Sequence, residues 1–279
     1  MKRFTQLFQQ IDATPSTNAK VHALCCYFQE EEPANAVWAL YLLLGKTRKR
    51  LITSRVLREV FLQISEIPEW LFEDCYAQVG DSAEVIALLL RDARLESRSE
   101  LPLPLHQWME DIIPQVKTIA TDLELKALIV SWWSTLCPIE VFVLNKVLTG
   151  AFRVGVSAKL VIKGLSAACG IPEPALAHRL MGDFTPSVAF YQQLIQAEDE
   201  NTSPSRPYPF FLASPLELDR FQTEDLTRWY AEWKWDGIRA QIIRRAGEVF
   251  IWSRGEDLVT EQFPELASFF LTFPDGLVL

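Results

Sequence analysis

A chain of 279 residues, 49% hydrophobic and 23% charged, is long enough for two packed domains and has the make-up of an ordinary globular protein. Its net charge of −9 excludes a protein that coats nucleic acid by bulk charge, so any phosphate contact must come from local patches. No apolar run reaches the length of a membrane span, and Met1-Lys2-Arg3-Phe4 is basic but lacks the apolar core of a signal peptide, which makes the cytoplasm the default compartment.

Residues 1 to 197 read as helical. Pro33 suits the first turn of a helix over 34–44, where Trp38 to Leu44 is an apolar run expected to be buried. Apolar residues at 56, 57, 60, 61 and 64 give Ser54 to Ile64 helical spacing. Asp81-Ser82 caps a run through Leu90, Asp122 opens another through Trp133, and Ser157 is placed as the N-cap of a helix from Ala158 that ends near Gly170. Pro172, Pro174 and Pro186 punctuate the later helices. The pattern shows no strand alternation and no short repeat, so an all-α domain with a sizeable core is expected. Cys25, Cys26, Cys75, Cys137 and Cys169 form no CxxC pattern and read as free buried thiols; His22, His106 and His178 are scattered without ligand spacing.

Two basic stretches interrupt this acidic background. Residues 46–58 carry Lys46, Arg48, Lys49, Arg50, Arg55 and Arg58, and residues 141–164 carry Lys146, Arg153, Lys159 and Lys163; neither holds an acid. In the second, the glycines of Thr149-Gly150-Ala151-Phe152-Arg153-Val154-Gly155-Val156-Ser157 lead into a helix N-terminus, where backbone N–H groups can meet a phosphate. A plain helix–turn–helix with solvated lysines would read the same way.

Residues 198–209 are polar and proline-rich, which is a linker composition. Phe210 to Ala213 and Ala231 to Ile243 then begin an α/β domain. Alternation into Lys234 reads as a half-buried strand, Asp236-Gly237 as a hairpin turn, and Ile238 to Ile243 as the returning strand. Lys234 is then either a surface charge or a reactive amine. As a nucleophile it must be neutral, which at an unshifted pKa costs about 4.6 kcal/mol at pH 7. Apolar walls from Trp233 and Trp235 and the cation Arg239 would reduce that cost, and Arg239 could also fork onto a phosphate. Pro264 opens a helix through Leu271, and Asp275-Gly276 leads into a strand at Leu277-Val278-Leu279.

Lys234, Asp236, Gly237 and Arg239 match the pattern K-x-D-G-x-R. Ser253 and Arg254, with Gly255 one place early, approximate S-R-x-G after the apolar run Val249 to Trp252. Four fixed residues recur by chance at roughly one position in 10⁵ at ordinary residue usage. In this order the two motifs resemble those of the ATP-dependent DNA ligases. The stretches Ala39 to Lys46, Gly80-Asp81 to Leu90 and Asn145-Lys146 to Ser157 resemble the family's helical DNA-binding domain.

The resemblance implies a multidomain chain: an all-α DNA-binding domain over 1–197, a linker over 198–209, and over 210–279 the start of an α+β nucleotidyltransferase domain, ATP-grasp-like, with an antiparallel sheet. In the family an acidic D-G-E motif follows at about Leu279, so the chain is expected to stop partway through that domain. Lys234 would attack the α-phosphate of ATP and carry AMP. Glu232 would accept from the adenine amino group, Arg239 and Arg254 would hold ribose or phosphates, and Asp236 and Gly237 would shape the turn. A cross-strand ion pair between Glu232 and Arg254 is the plainer reading of those two residues. Lys46, Arg48, Arg153 and Lys159 become candidate contacts to the backbone of nicked double-stranded DNA, with the domain straddling the minor groove. Mg²⁺ is implied, with no metal ligand to name in this stretch. A monomer in the cytoplasm or at a bacterial nucleoid, serving DNA repair, replication or recombination, completes the expectation. A related RNA ligase or capping-type nucleotidyltransferase shares the lysine motif, though not the large helical domain, and a non-catalytic DNA-binding fragment would need only the basic stretches.

Overall fold

The structure is a computed structural model that describes residues 1–46, 50–90, 103–180, 183–196, 204–208, 210, 227, 233, 235–255 and 257–279. The chain divides into two compact units. One comprises Met1–Glu173 with Thr185–Gln196, the other Pro174–Phe184 with Ala197–Leu279.

The first unit is helical. Its elements are α1 (Lys2–Asp12), α2 (Thr17–Glu30), α3 (Pro33–Leu43), α4 (Ser54–Ile64), α5 (Glu69–Val79), α6 (Ser82–Leu89), a short α7 (Leu105–Gln107) that runs on through a π-turn and a 3₁₀ stretch to Thr118, α8 (Asp122–Trp133), α9 (Pro138–Leu148), α10 (Ala158–Cys169) and α12 (Val188–Leu194). α11 (Glu173–Arg179) falls, apart from Glu173, in the second unit. The capping residues do what their chemistry allows. The Asp81 carboxylate accepts from the Ala83 and Glu84 N–H groups, Ser157 accepts from Leu160, and Thr121 with Glu124 forms a capping box that starts α8 one residue before Asp122. Pro33 occupies the first turn of α3, where its missing N–H costs nothing. The five cysteines are free as expected, but half-buried rather than buried.

α3 and α9 are the buried helices. Seven residues of α3 are buried, from Asn35 to Leu43, and α9 buries Val141, Val143, Leu144, Asn145, Val147 and Leu148. Each such aliphatic side chain contributes about 1.5–3 kcal/mol by leaving water. Asn145, fully buried, is tolerated because its side-chain oxygen accepts from the Trp133 indole N–H at 3.0 Å. α10 packs along α2 closely enough that a Cβ on Gly164 would lie 2.4 Å from the Cβ of Leu24. α4 packs against α6 and α8.

The second unit contains a β-hairpin, β1 (Ala240–Arg245) with β2 (Glu248–Ser253), antiparallel in the register Ala240↔Ser253 to Arg245↔Glu248. This corrects the expected strand arrangement. The turn of the hairpin is Ala246-Gly247, with φ of 51° and 83°, both in the left-handed region that a two-residue primed turn requires. Asp236-Gly237 is a bend, and Gly237 has no positive φ. The partner of the strand therefore follows it rather than preceding it. Asp275 holds the turn: its carboxylate accepts from the Ala246 and Gly247 N–H groups at 3.1 Å each and pairs with Arg244 at 3.0 Å. On its other edge β1 is bonded by the C-terminal run, Arg244 N–H to Leu277 O at 2.8 Å and a reciprocal Ile242–Leu279 pair at 3.0 Å, so the strand expected at Leu277–Leu279 does join the sheet edge. Val249, Ile251 and Val259 form a small core with Phe263, Ala267 and Phe270, the last two from α13 (Pro264–Phe270). Ser205, Arg206 and Tyr208 lie within the stretch read as linker, yet they dock on this hairpin. The Trp252 indole donates to Ser205 O at 2.5 Å, Arg245 donates to Arg206 O at 3.0 Å, and the Tyr208 N–H donates to Gln241 at 2.6 Å.

Candidate functional site

Each unit presents its own candidate surface. In the helical unit the two basic stretches meet. The N–H groups of Leu51 and Ile52 both donate to Leu148 O, at 2.9 and 3.0 Å, which sets residues 50–52 against the C-terminal end of α9. Gly150 ends that helix with φ +66°, and a Cβ there would stand 3.3 Å from the Arg50 backbone nitrogen. Glycine is required twice over at this corner, for the left-handed turn and for the close approach. Phe152 turns inward to stack on Phe4 at 5.7 Å, so its neighbour Arg153 is left exposed. The Lys20 ammonium, from α2, donates to Gly155 O at 2.5 Å and fixes the last part of the loop before the Ser157 cap.

The two corners are built alike, which the sequence pattern did not suggest. α3 ends in Gly45 (φ +68°) with the Lys46 N–H bonded back to Tyr41 O; α9 ends in Gly150 with the Ala151 N–H bonded back to Lys146 O. Each glycine is followed in sequence by a hydroxyl N-cap (Thr53 or Ser157) and the helix α4 or α10. The shared residues are only a glycine, cations and a Ser or Thr, too few to register as a repeat. The order of those types after an apolar helix was the available signal.

The structure also sorts the cations. Arg55 pairs with Glu59, Arg58 with Glu69 and Glu73, and Lys146 with Asp81, so these three are spoken for. Lys126 adds a second cation beside Glu59, and the hydrogen bond from Arg55, ahead of the charges, holds that carboxyl below its usual range. Arg50, Arg153, Lys159 and Lys163 are exposed and carry no ion pair among the described residues. Lys46 is half-buried at its glycine turn. Arg48 lies outside the described residues. Arg153 and Lys146 also line a cavity of about 530 Å³ between α1, α6 and α9, together with Phe142, Asp12 and Glu84.

In the second unit the hairpin register brings the two short motifs together. Ala240 pairs with Ser253, and one step beyond, the Arg254 N–H donates to Arg239 O at 2.9 Å. Two exposed guanidinium side chains thus leave neighbouring strands at one end of the ladder. Like charges opposite each other on a sheet repel, so the arrangement is relieved by an anion between or over them. The Ser253 hydroxyl accepts from the Gly255 and Asp257 N–H groups, 3.2 Å each, and folds the turn that carries Arg254 outward. Asp236 and Gly237 are exposed at the bend before β1. Lys234 and Glu232 lie outside the described residues. Trp233, Trp235 and Ile238 are 85%, 82% and 72% exposed, and strand pairing starts beyond them at Ala240. The described residues hold no group of three or more His, Cys, Asp or Glu that could bind a metal ion. No helix among them is long and apolar enough to cross a membrane.

The family described as DNA ligase N terminus matches residues 1–166, and that described as ATP dependent DNA ligase domain matches residues 211–275. Over 279 aligned residues the chain is 26% identical to a probable DNA ligase of Koribacter versatilis, covering 95% of this chain and 47% of that protein. It is 25% identical to a DNA ligase of Pyrobaculum calidifontis (92% and 47%), and 31% identical over 137 residues to a DNA ligase of Methanothrix thermoacetophila (48% and 24%). The chain spans about half the length, or less, of these relatives.

Proposed function

Because the chain belongs to the ATP-dependent DNA ligase family, we propose that it is the nick-binding and nucleotide-entry part of an enzyme that seals nicked duplex DNA through a covalent lysyl-AMP on Lys234. The observation that carries the reading is the 2.9 Å bond between Arg254 and Arg239, which sets the end of one motif beside the start of the other.

In this reading the neutral Lys234 amine attacks the α-phosphorus of ATP, the bond to the β-phosphate oxygen breaks, and pyrophosphate leaves while the amine proton passes to solvent. AMP then moves to the 5′-phosphate at the nick, and the 3′-hydroxyl displaces it to close the strand. Arg239 and Arg254 hold the anionic oxygens and disfavour the ammonium form of a lysine placed near them. Glu232 accepts from the adenine amino group, while Asp236 and Gly237 shape the approach to the strand. Mg²⁺ would neutralise phosphate charge when bound. The helical domain, 1–197, grips the nick from the Gly150 corner, with Arg50 joining Arg153, Lys159, Lys46 and Arg48 as backbone contacts, and residues 198–209 link it to the nucleotidyltransferase part. The protein acts as a monomer.

The decisive experiment incubates the protein, carried to the length of its relatives, with α-labelled ATP and Mg²⁺ beside Lys234→Ala. Covalent label on the unsubstituted protein alone is expected, and label that survives the substitution would overturn the assignment. A second reading, a DNA-binding module without nucleotidyl transfer, draws on the exposure of Trp233 and Trp235. It is favoured if neither protein is labelled while both bind a nick equally. An RNA ligase or capping-type activity would instead be revealed by label that passes to an RNA acceptor and not to nicked DNA.

A further inference from the structure

His22 and Cys26 stand one turn apart on α2, with Sγ 3.7 Å from Nε2 and 4.0 Å from Nδ1 of the imidazole. Leu24, between them in sequence, is the residue packed against Gly164 of α10. Helical periodicity puts the residues two before and two after it on the opposite face. Accordingly His22 is exposed and Cys26 half-exposed.

The spacing has a chemical meaning. Zinc binds thiolate sulfur at about 2.3 Å and imidazole nitrogen at about 2.0–2.1 Å, and a tetrahedral angle between those bonds sets sulfur and nitrogen roughly 3.6 Å apart. The observed 3.7 Å to Nε2 matches that separation, and rotation of the exposed His22 ring aims the Nε2 lone pair at a cation beside Cys26 Sγ. Thiolate and imidazole together suit a borderline or soft divalent cation, and the hard Mg²⁺ of phosphoryl chemistry prefers oxygen. We propose that His22 and Cys26 form a two-point surface site for a divalent cation of the Zn²⁺ class, with water completing the coordination. On binding, the Cys26 S–H bond breaks, its proton passes to solvent, the thiolate sulfur binds the cation, and the neutral His22 donates its Nε2 lone pair. Cys26, and not Cys25, is the thiol in contact with the His22 imidazole among the described residues. The sequence reading, looking for CxxC or paired histidines, missed the His-x-x-x-Cys spacing.

Titration of the whole chain with Co²⁺, a spectroscopic stand-in for Zn²⁺, tests the site. A thiolate-to-Co²⁺ charge-transfer band is expected in the unsubstituted protein and in Cys25→Ser, and is expected to vanish in Cys26→Ser. His22→Ala should weaken binding by about tenfold or more, since even an outer contact to a ligand contributes that much. A measurement without substitution accompanies it: Zn²⁺ should slow alkylation of Cys26 by iodoacetamide, read by mass spectrometry, while Cys169 is unaffected. No band at millimolar Co²⁺, a band that persists in Cys26→Ser, equal binding in His22→Ala, or alkylation of Cys26 at an unchanged rate would each overturn the two-point site. None of these readouts depends on the ligase reading.

Discussion

The Gly150 corner and the Arg239–Arg254 ladder end both gather exposed cations, but they do so by opposite means. At the corner, Arg50 and Arg153 come from segments a hundred residues apart, and long-range packing holds them: Leu148 O accepts from Leu51 and Ile52, Phe152 stacks on Phe4, and Lys20 reaches to Gly155. At the ladder end, Arg239 and Arg254 are brought together by a tight turn and a fixed register within sixteen residues of chain. Remote anchoring makes the first surface sensitive to changes far from any cation. Local anchoring makes the second sensitive to its own turn and to Asp275, which holds that turn.

The largest expected effect is at Gly164. Gly164→Ala drives a methyl into Leu24 and should cost about 1–3 kcal/mol, as overpacking of a tight helix contact does. A Tm several degrees lower by calorimetry is expected, together with weaker DNA binding, because α10 carries Lys159 and Lys163. Leu24→Gly in the same chain removes the Cβ that the new methyl meets at 2.4 Å, so the two losses should be less than additive, and simple additivity would contradict a direct clash.

Gly150→Ala comes next. A left-handed Ala costs about 1–2 kcal/mol, and here its methyl also crowds Arg50. DNA affinity should fall along with stability. Retained affinity at lower stability would separate the corner from the binding surface.

The hairpin gives the local counterpart. Asp275→Ala removes two turn hydrogen bonds and a partly exposed ion pair, a loss of about 1 kcal/mol. Faster amide exchange in Ala246–Val249 is expected, with DNA binding by the helical unit unchanged.

The smallest stability effects separate paired from unpaired cations. Arg153→Ala should lower the slope of log affinity against log salt by about one, the signature of one lost phosphate contact. Arg55→Ala, whose partner is Glu59, should leave that slope unchanged and cost at most about 0.5 kcal/mol in thermal stability. Equal slope changes would show that ion pairing does not sort these cations.

Much of the helical unit was legible in the chain. Pro33, Asp81, Ser157 and Gly170 each act within a few residues, so their capping roles can be read without knowing what lies opposite. The hairpin was misread for a related reason. Asp236-Gly237 and Ala246-Gly247 are both acceptable turns locally, and the choice fell to the one whose N–H groups Asp275 can accept. The linker reading of 198–209 rested on composition, which cannot register that a Trp252 indole takes up a backbone carbonyl at Ser205.

By itself, the sequence determined the helical class, most helix ends, and the order of the two motifs around Lys234, because caps, periodicity and short patterns are short-range chemistry. Only the tertiary structure decided that the two basic stretches form one corner, and that Arg55, Arg58 and Lys146 are neutralised while Arg50 and Arg153 form no ion pair among the described residues. It also decided that Arg239 and Arg254 are neighbours across a ladder. Charge is a property of a residue, but whether that charge remains available depends on which residue packing sets beside it.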